Sequence, residues 1–179
     1  YRQMDTSGRS TIRKFAAKEN VSEMKKMAAR DFKDILQCSI PSFDRLLEGT
    51  ANEKLLTLLY RTSEWHALGK ARMHTDTTLD LLESLTQEFG KLMREFEQMS
   101  RSYATVELPK EASARARRDA QKAATAAGQP ALLPADIPVP KTRKAKTLNL
   151  STYKFHALGD YVRSIKLYGT TDSYSTQLV

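Results

Sequence analysis

The sequence predicts a mainly α-helical fold. Several amphipathic helices pack as an irregular bundle, with a basic Pro-rich linker and a C-terminal helix that leads into a short extended tail. Three observations support this. Apolar residues recur at spacings of three and four over most of the chain. Strand-like alternation is confined to the extreme C-terminus. The prolines and the excess positive charge gather in one segment. The division that follows is a polar segment over 1–23, a helical domain over 24–108, a basic Ala/Pro-rich linker over 109–147, and a C-terminal helix and tail over 148–179 that docks on the helical domain.

The first helix is expected over 24–40, where Met24, Ala28, Phe32, Ile35 and Leu36 keep helical spacing and Pro41 closes the run. Asn52 is a plausible cap for a second helix over 53–69, carrying Leu55, Leu58, Leu59, Trp65 and Leu68. The third, over 76–106, is the most regular. Leu82, Leu85, Phe89, Leu92, Phe96, Met99 and Tyr103 form one seam, Thr75 or Asp76 can cap its start, and Pro109 lies past its end. Trp65 and the seam from Leu82 to Phe96 should be buried together. After the linker, Phe155, Leu158, Val162 and Ile165 repeat the pattern over 152–168, with Ser151 before them and Gly169 as a left-handed stop. Thr170 to Val179 is β-branched and aromatic enough to be extended.

The chain of 179 residues has a net charge of +8 and 40% apolar residues. A domain of this size buries roughly two-thirds of its unfolded surface, so a packed core is within reach. No apolar run approaches the roughly 18–20 residues that span a bilayer, which argues against a membrane protein. The N-terminus lacks the charged-then-apolar order of a secretory signal. Cys38 stands alone, so no internal disulfide can form. An intracellular protein, nuclear or cytoplasmic, is expected. Its start without Met suggests a processed product or a piece of a longer protein.

The charge is unevenly placed. Residues 1–109 carry 17 basic and 16 acidic side chains, a net of +1, while 110–146 carry nine against three, a net of +6. The same segment holds four of the six prolines. It reads as a short basic helix over 110–126, an extended Pro-rich stretch, and the cluster Lys141-Thr142-Arg143-Lys144-Ala145-Lys146. Arg115, Arg117, Arg118, Lys141, Arg143, Lys144 and Lys146 are the candidate nucleic-acid-binding residues. Their alternative reading is a solvated linker or a nuclear-import signal.

Signals for other chemistry are weak. His66 and His74 are eight apart, unlike the i,i+4 pair of a zinc helix; with His156 they read as partly buried histidines with local hydrogen bonds. The glycines form no phosphate-cradling loop, and no Gly-x-Ser-x-Gly elbow is present. Cys38 lacks the basic neighbours that tune a nucleophile and reads as a small buried hydrophobe. Asp31 sits at the edge of the first helix's apolar face, where a carboxylate must be paired, solvated or bound to a cation. Trp65-His66-Ala67-Leu68-Gly69 returns as Phe155-His156-Ala157-Leu158-Gly159, through packing convenience or an old duplication.

Several strings together carry a resemblance: Ala29-Arg30-Asp31-Phe32-Lys33-Asp34-Ile35-Leu36-Gln37-Cys38-Ser39-Ile40-Pro41, Glu64-Trp65-His66-Ala67-Leu68, Arg72-Met73-His74-Thr75-Asp76, Tyr153 through Val162, and Gly169 through Gln177. Over roughly 28–179 the chain resembles the CACTA-like, Plavaka-type DNA transposases of mushroom-forming fungi. The resemblance implies a piece of a cut-and-paste, RNase H-like nuclease of the DDE type, in which acidic residues hold two Mg ions. It places the chain at the helical stretch between the later catalytic acids, with Asp31 as the one catalytic residue carried over. The family's His-Asp-x-His string is Arg30-Asp31-Phe32-Lys33 here, and its later Gly-Glu does not follow Gln177. Two-metal chemistry needs several converging carboxylates. The expectation is therefore a non-catalytic fragment or relic with no complete metal site and no cofactor of its own. It would bind DNA without sequence preference through the basic linker, with the rest of the transposase or a second copy as further partners. The alternative is an all-α interaction module that pairs helices through the 82–103 seam, unless that seam is spent on an intramolecular core.

Overall fold

A computed structural model describes residues 21, 24, 27–128 and 142–173 of the chain. The fold is mainly helical, with α1 (Ala29–Phe43), α2 (Gly49–Gly69), α3 (Asp76–Ser100), α4 (Pro109–Ala126), α5 (Tyr153–His156) and α6 (Tyr161–Tyr168). No helix among the described residues is long and apolar enough to cross a membrane. The chain divides into two compact units, Tyr1–Phe96 with Leu150–Val179, and Glu97–Asn149.

The first unit is built around Trp65. Its indole shares a buried cluster with Leu79, Leu82, Leu85 and Ile165, flanked by Leu68, Leu158, Tyr161 and Val162. Phe89 stacks at 6.3 Å between ring centroids, and Tyr161 meets the indole edge-on at 4.7 Å. The indole N–H cannot be buried without a partner. It donates to Thr86 Oγ1 at 2.8 Å, and that hydroxyl in turn donates to the Leu82 carbonyl at 2.7 Å. The expected burial of Trp65, Leu82, Leu85 and Phe89 is found, whereas Leu92 and Phe96 are half-buried. The C-terminal helix joins this core through Ile165, and the Thr171 hydroxyl donates to the Gly69 carbonyl at 2.9 Å.

Several boundaries differ from expectation. Helix α1 passes through Pro41 to Phe43. Proline forfeits one backbone donor, which matters less in a last turn, and neighbouring hydroxyls take up nearby carbonyls. Ser39 Oγ donates to Leu36 O and Ser42 Oγ to Cys38 O, both at 2.6 Å. Helix α2 begins at Gly49, whose φ of +55° suits glycine, so Asn52 lies inside the helix and caps nothing. At α3 the expected Thr75 cap is present: the Thr78 N–H donates to Thr75 Oγ1 at 3.3 Å, and the Thr75 N–H donates to Thr78 Oγ1 at 2.8 Å.

Helix α3 stops at Ser100 rather than 106, because the chain turns over Arg101–Ser102 and Pro109 opens α4 at its first position. The expected helix over 152–168 is broken into α5, a 3-10 turn over Ala157–Asp160, and α6. Its cap is Thr152, not Ser151. Gly169 takes φ +86° and ends α6 as expected. The extended tail is replaced over Thr171–Ser173 by a 3-10 turn; 174–179 lie outside the described residues, as do most of 1–23 and the Pro-rich stretch 129–141. The two related pentapeptides adopt different structures, one inside α2 and one across α5 and the 3-10 turn, yet Trp65, Leu68 and Leu158 meet in one core. That favours packing convenience.

The second unit is polar by comparison. The segment before α4 pairs with the segment after the Pro-rich stretch through an antiparallel Val106–Ala145 bridge, with Glu107 N–H to Lys144 O at 2.9 Å and Lys146 N–H to Thr105 O at 3.0 Å. Thr105 Oγ1 also donates to Lys146 O. The compact unit is therefore wider than the 109–147 linker read from composition, since 97–108 supplies one side of this pairing.

Candidate nucleic-acid interface

The basic segment acquires its geometry from one carboxylate. Glu107 accepts from Arg115 Nε at 2.9 Å on Oε1 and from Arg115 Nη2 at 2.9 Å on Oε2, the bidentate fork that matches guanidinium to carboxylate. The Lys144 N–H donates to Glu107 Oε2 at 3.2 Å, and Arg143 Nη1 donates to the Glu107 carbonyl at 3.4 Å. Arg115 and the Lys144 N–H hold the Glu107 carboxyl down at about 2, and the same fork raises Arg115 above its ordinary value. Four residues on from Glu107, Glu111 repeats the logic. Its carboxylate takes Lys146 Nζ, and its other oxygen accepts the Leu108 N–H at 3.0 Å at the start of α4. Lys146 first, then that N–H, keeps the Glu111 carboxyl below the usual glutamate range.

The seven expected nucleic-acid-binding residues thus split. Arg115 and Lys146 are engaged in ion pairs with Glu107 and Glu111, Arg115 half-buried and Lys146 still exposed. Arg117, Arg118, Arg143 and Lys144 are exposed, and Lys141 lies outside the described residues. Arg118 Nε reaches the Ala114 carbonyl at 3.4 Å, and Lys144 uses only its backbone in the clasp. Sequence reasoning missed two members. Lys122 is exposed four residues after Arg118, so Arg115, Arg118 and Lys122 share a helical face, readable from their spacing of three and four. Glu107 had no local signal, because its partners lie eight and more than thirty residues away.

Asp31 belongs to the first unit. It is 8% exposed, and its Oδ2 accepts the Ala28 N–H at 2.7 Å, a third-position carboxylate reaching back over the start of α1. Of the states open to a carboxylate at the edge of this apolar face, Asp31 is buried and paired with that backbone donor. Among the described residues no group of three or more His, Cys, Asp or Glu side chains is placed to hold a metal ion.

The remaining candidates are local. Cys38 is buried, which pushes its thiol up and away from nucleophilic character. Burial, then the charges of Lys70 and Lys33, lower the His66 imidazole below its ordinary value. His74 Nδ1 lies 3.3 Å from Thr78 Oγ1, as expected for a histidine with a local bond, while its buried Nε2 has no partner among the described residues. His156, expected to be partly buried, is exposed instead beside Phe155.

No family model, curated protein or solved structure matches this chain.

Proposed function

We propose that this chain binds duplex DNA without sequence preference through the Glu97–Asn149 unit, as the DNA-holding piece of a protein of DDE-transposase type. The observation that carries this reading is the exposed set Arg117, Arg118, Lys122, Arg143 and Lys144, displayed from two segments that the Glu107 clasp ties together. Exposed cations gain affinity by releasing counterions from phosphates, and such contacts position a duplex without reading its bases. The transposase part of the reading rests on the sequence resemblance. Asp31 and the Mg chemistry of that family enter only through it.

A salt titration of duplex binding is the test. Five phosphate contacts at about −0.9 each give a log–log slope near −4.5, and partial engagement reduces it to roughly −2 to −4. Joint replacement of Arg143 and Lys144 by Ala should flatten the slope by about 2 and weaken unrelated duplexes alike. Binding that survives loss of all five cations, or that prefers one sequence strongly, would reject the proposal. Magnesium-dependent nicking by a clean preparation would reject a non-catalytic role.

The runner-up is helix pairing through the 82–103 seam. Leu82, Leu85 and Phe89 are already covered within the chain, which leaves half-buried Leu92 and Phe96 and exposed Tyr103 to a partner. Sedimentation separates the two readings, since the seam reading requires a dimer that Phe96→Glu dissolves.

A further inference from the structure

We infer that Glu107, an acidic residue inside a basic surface, is the positioning residue that assembles that surface. The inference rests on the DNA-binding reading above and assigns the residue on which its geometry depends. Three pieces of chain meet at this one side chain and its backbone. Arg115 comes from α4, the Lys144 N–H and the Arg143 guanidinium from the segment after the Pro-rich stretch, and Glu107 itself from the stretch before α4. The backbone pairing at Val106–Ala145 is a single bridge. An isolated two-stranded pairing is marginal in water, so it needs side-chain support. Glu107 and the neighbouring Glu111–Lys146 pair supply that support. The bidentate fork also fixes Arg115 in a direction that a lone lysine pair would not.

The consequence reverses ordinary charge arithmetic. Removing an acid from a DNA-binding surface adds one unit of positive charge, which should tighten a purely electrostatic complex. If Glu107 assembles the surface, its removal releases 142–146 from α4, and Arg143 and Lys144 no longer present their charges with Arg118 and Lys122.

The experiment compares Glu107→Gln with Asp119→Asn in the full chain, titrated with a fixed-length duplex of arbitrary sequence. Both variants gain the same charge. Asp119 is exposed on α4 and makes no hydrogen bond or ion pair with the clasp; its charge reaches the clasp only through the field it exerts on Arg115, four residues before it. Asp119→Asn should bind more tightly than the parent. Glu107→Gln should bind roughly tenfold more weakly, with a salt slope shallower by about 2, the equivalent of two lost phosphate contacts. Equal tightening by both variants would overturn the inference and leave Glu107 as a simple counter-charge. Amide exchange of the free protein forms a second arm, independent of DNA. The Lys146 N–H, bonded to Thr105 O, should lose protection in Glu107→Gln and keep it in Asp119→Asn. If the parent fails to bind duplex while this protection difference holds, the DNA reading falls and the assembling role of Glu107 stands. Unchanged Lys146 protection in Glu107→Gln removes that role whatever the DNA result.

Discussion

The two compact units solve the same problem with different forces. In the first, Leu82 is fully buried and Trp65 is surrounded by Leu79, Leu85, Phe89, Tyr161 and Ile165. The indole N–H at its centre is satisfied locally by the Trp65–Thr86–Leu82 relay, while buried Asn52 Oδ1 and His74 Nε2 have no partner among the described residues. In the second, the buried apolar side chains among the described residues are alanines, Ala112 and Ala124, and Glu107 and Glu111 are each paired with a cation. Apolar burial scales with area and is not weakened by screening, whereas solvent-accessible ion pairs are screened and titrate. The first unit, whose Arg61–Glu64 and Arg61–Glu88 pairs lie outside its apolar cluster, should therefore respond less to salt than the second.

Core truncation gives the largest expected effect. Leu82→Ala should destabilise the first unit by about 3–5 kcal/mol, and Phe89→Ala by a similar amount, because neither site can collapse without moving the indole. Urea unfolding followed by helical circular dichroism measures it. A loss below about 1 kcal/mol for Leu82→Ala would show that the core is looser than its burial indicates. Thr86→Val comes next. It leaves the indole N–H buried without an acceptor, at about 1–3 kcal/mol, and the same unfolding measurement reads it.

Acid should act on the second unit through its two carboxylates. The Glu107 carboxyl is held at about 2, so its contribution is complete above the ordinary glutamate range and is lost as pH falls through that range towards 2. Glu111, also depressed, loses its contribution on the same side. Amide protection at Lys146 should therefore fall between about pH 4.5 and 2. Protection that stays constant across this window would separate the backbone pairing from the carboxylates. The smallest effect belongs to His66, whose lowered value favours the neutral ring in the folded state. Its contribution is present above about 6.5 and lost as pH falls through the folded value, so the first unit should soften slightly on mild acidification. His66→Gln should remove that pH dependence from its urea midpoint.

What was legible in the sequence was whatever repeats locally. The first half of the α3 seam, the Thr75 cap and the Gly169 stop are written in spacings of three, four or one, and each is found. Beyond Phe89 the seam is only half-buried, and Tyr103, its expected last member, is exposed past the end of α3. In the C-terminal pattern Leu158, Val162 and Ile165 marked the core-facing side correctly, whereas Phe155 is half-buried outside that cluster. Periodicity alone did not reveal that a 3-10 turn around Gly159 interrupts the run. Pro41 misled in the opposite direction. Its cost depends on how much helix follows, and only Ser42 and Phe43 do. The clasp was illegible for a different reason. Glu107 and Lys144 are far apart in sequence and belong to no shared pattern, and a charge count treats Arg115 and Arg117 alike although one is paired and the other exposed.

The chain has one tryptophan, and its position makes it a built-in optical reporter. Trp65 lies wholly within the first unit, its N–H fixed on Thr86 and its ring against Tyr161. Across Glu97–Asn149 the sequence offers Tyr103 and no other aromatic ring. Light absorbed selectively by indole therefore follows the Trp65 core alone, and emission should shift to longer wavelength only when that core opens to water. Dissolving the Glu107 clasp with salt or acid should leave the emission in place. The two units can thus be watched separately in the unmodified protein, one by its glow and the other by exchange of its amide protons.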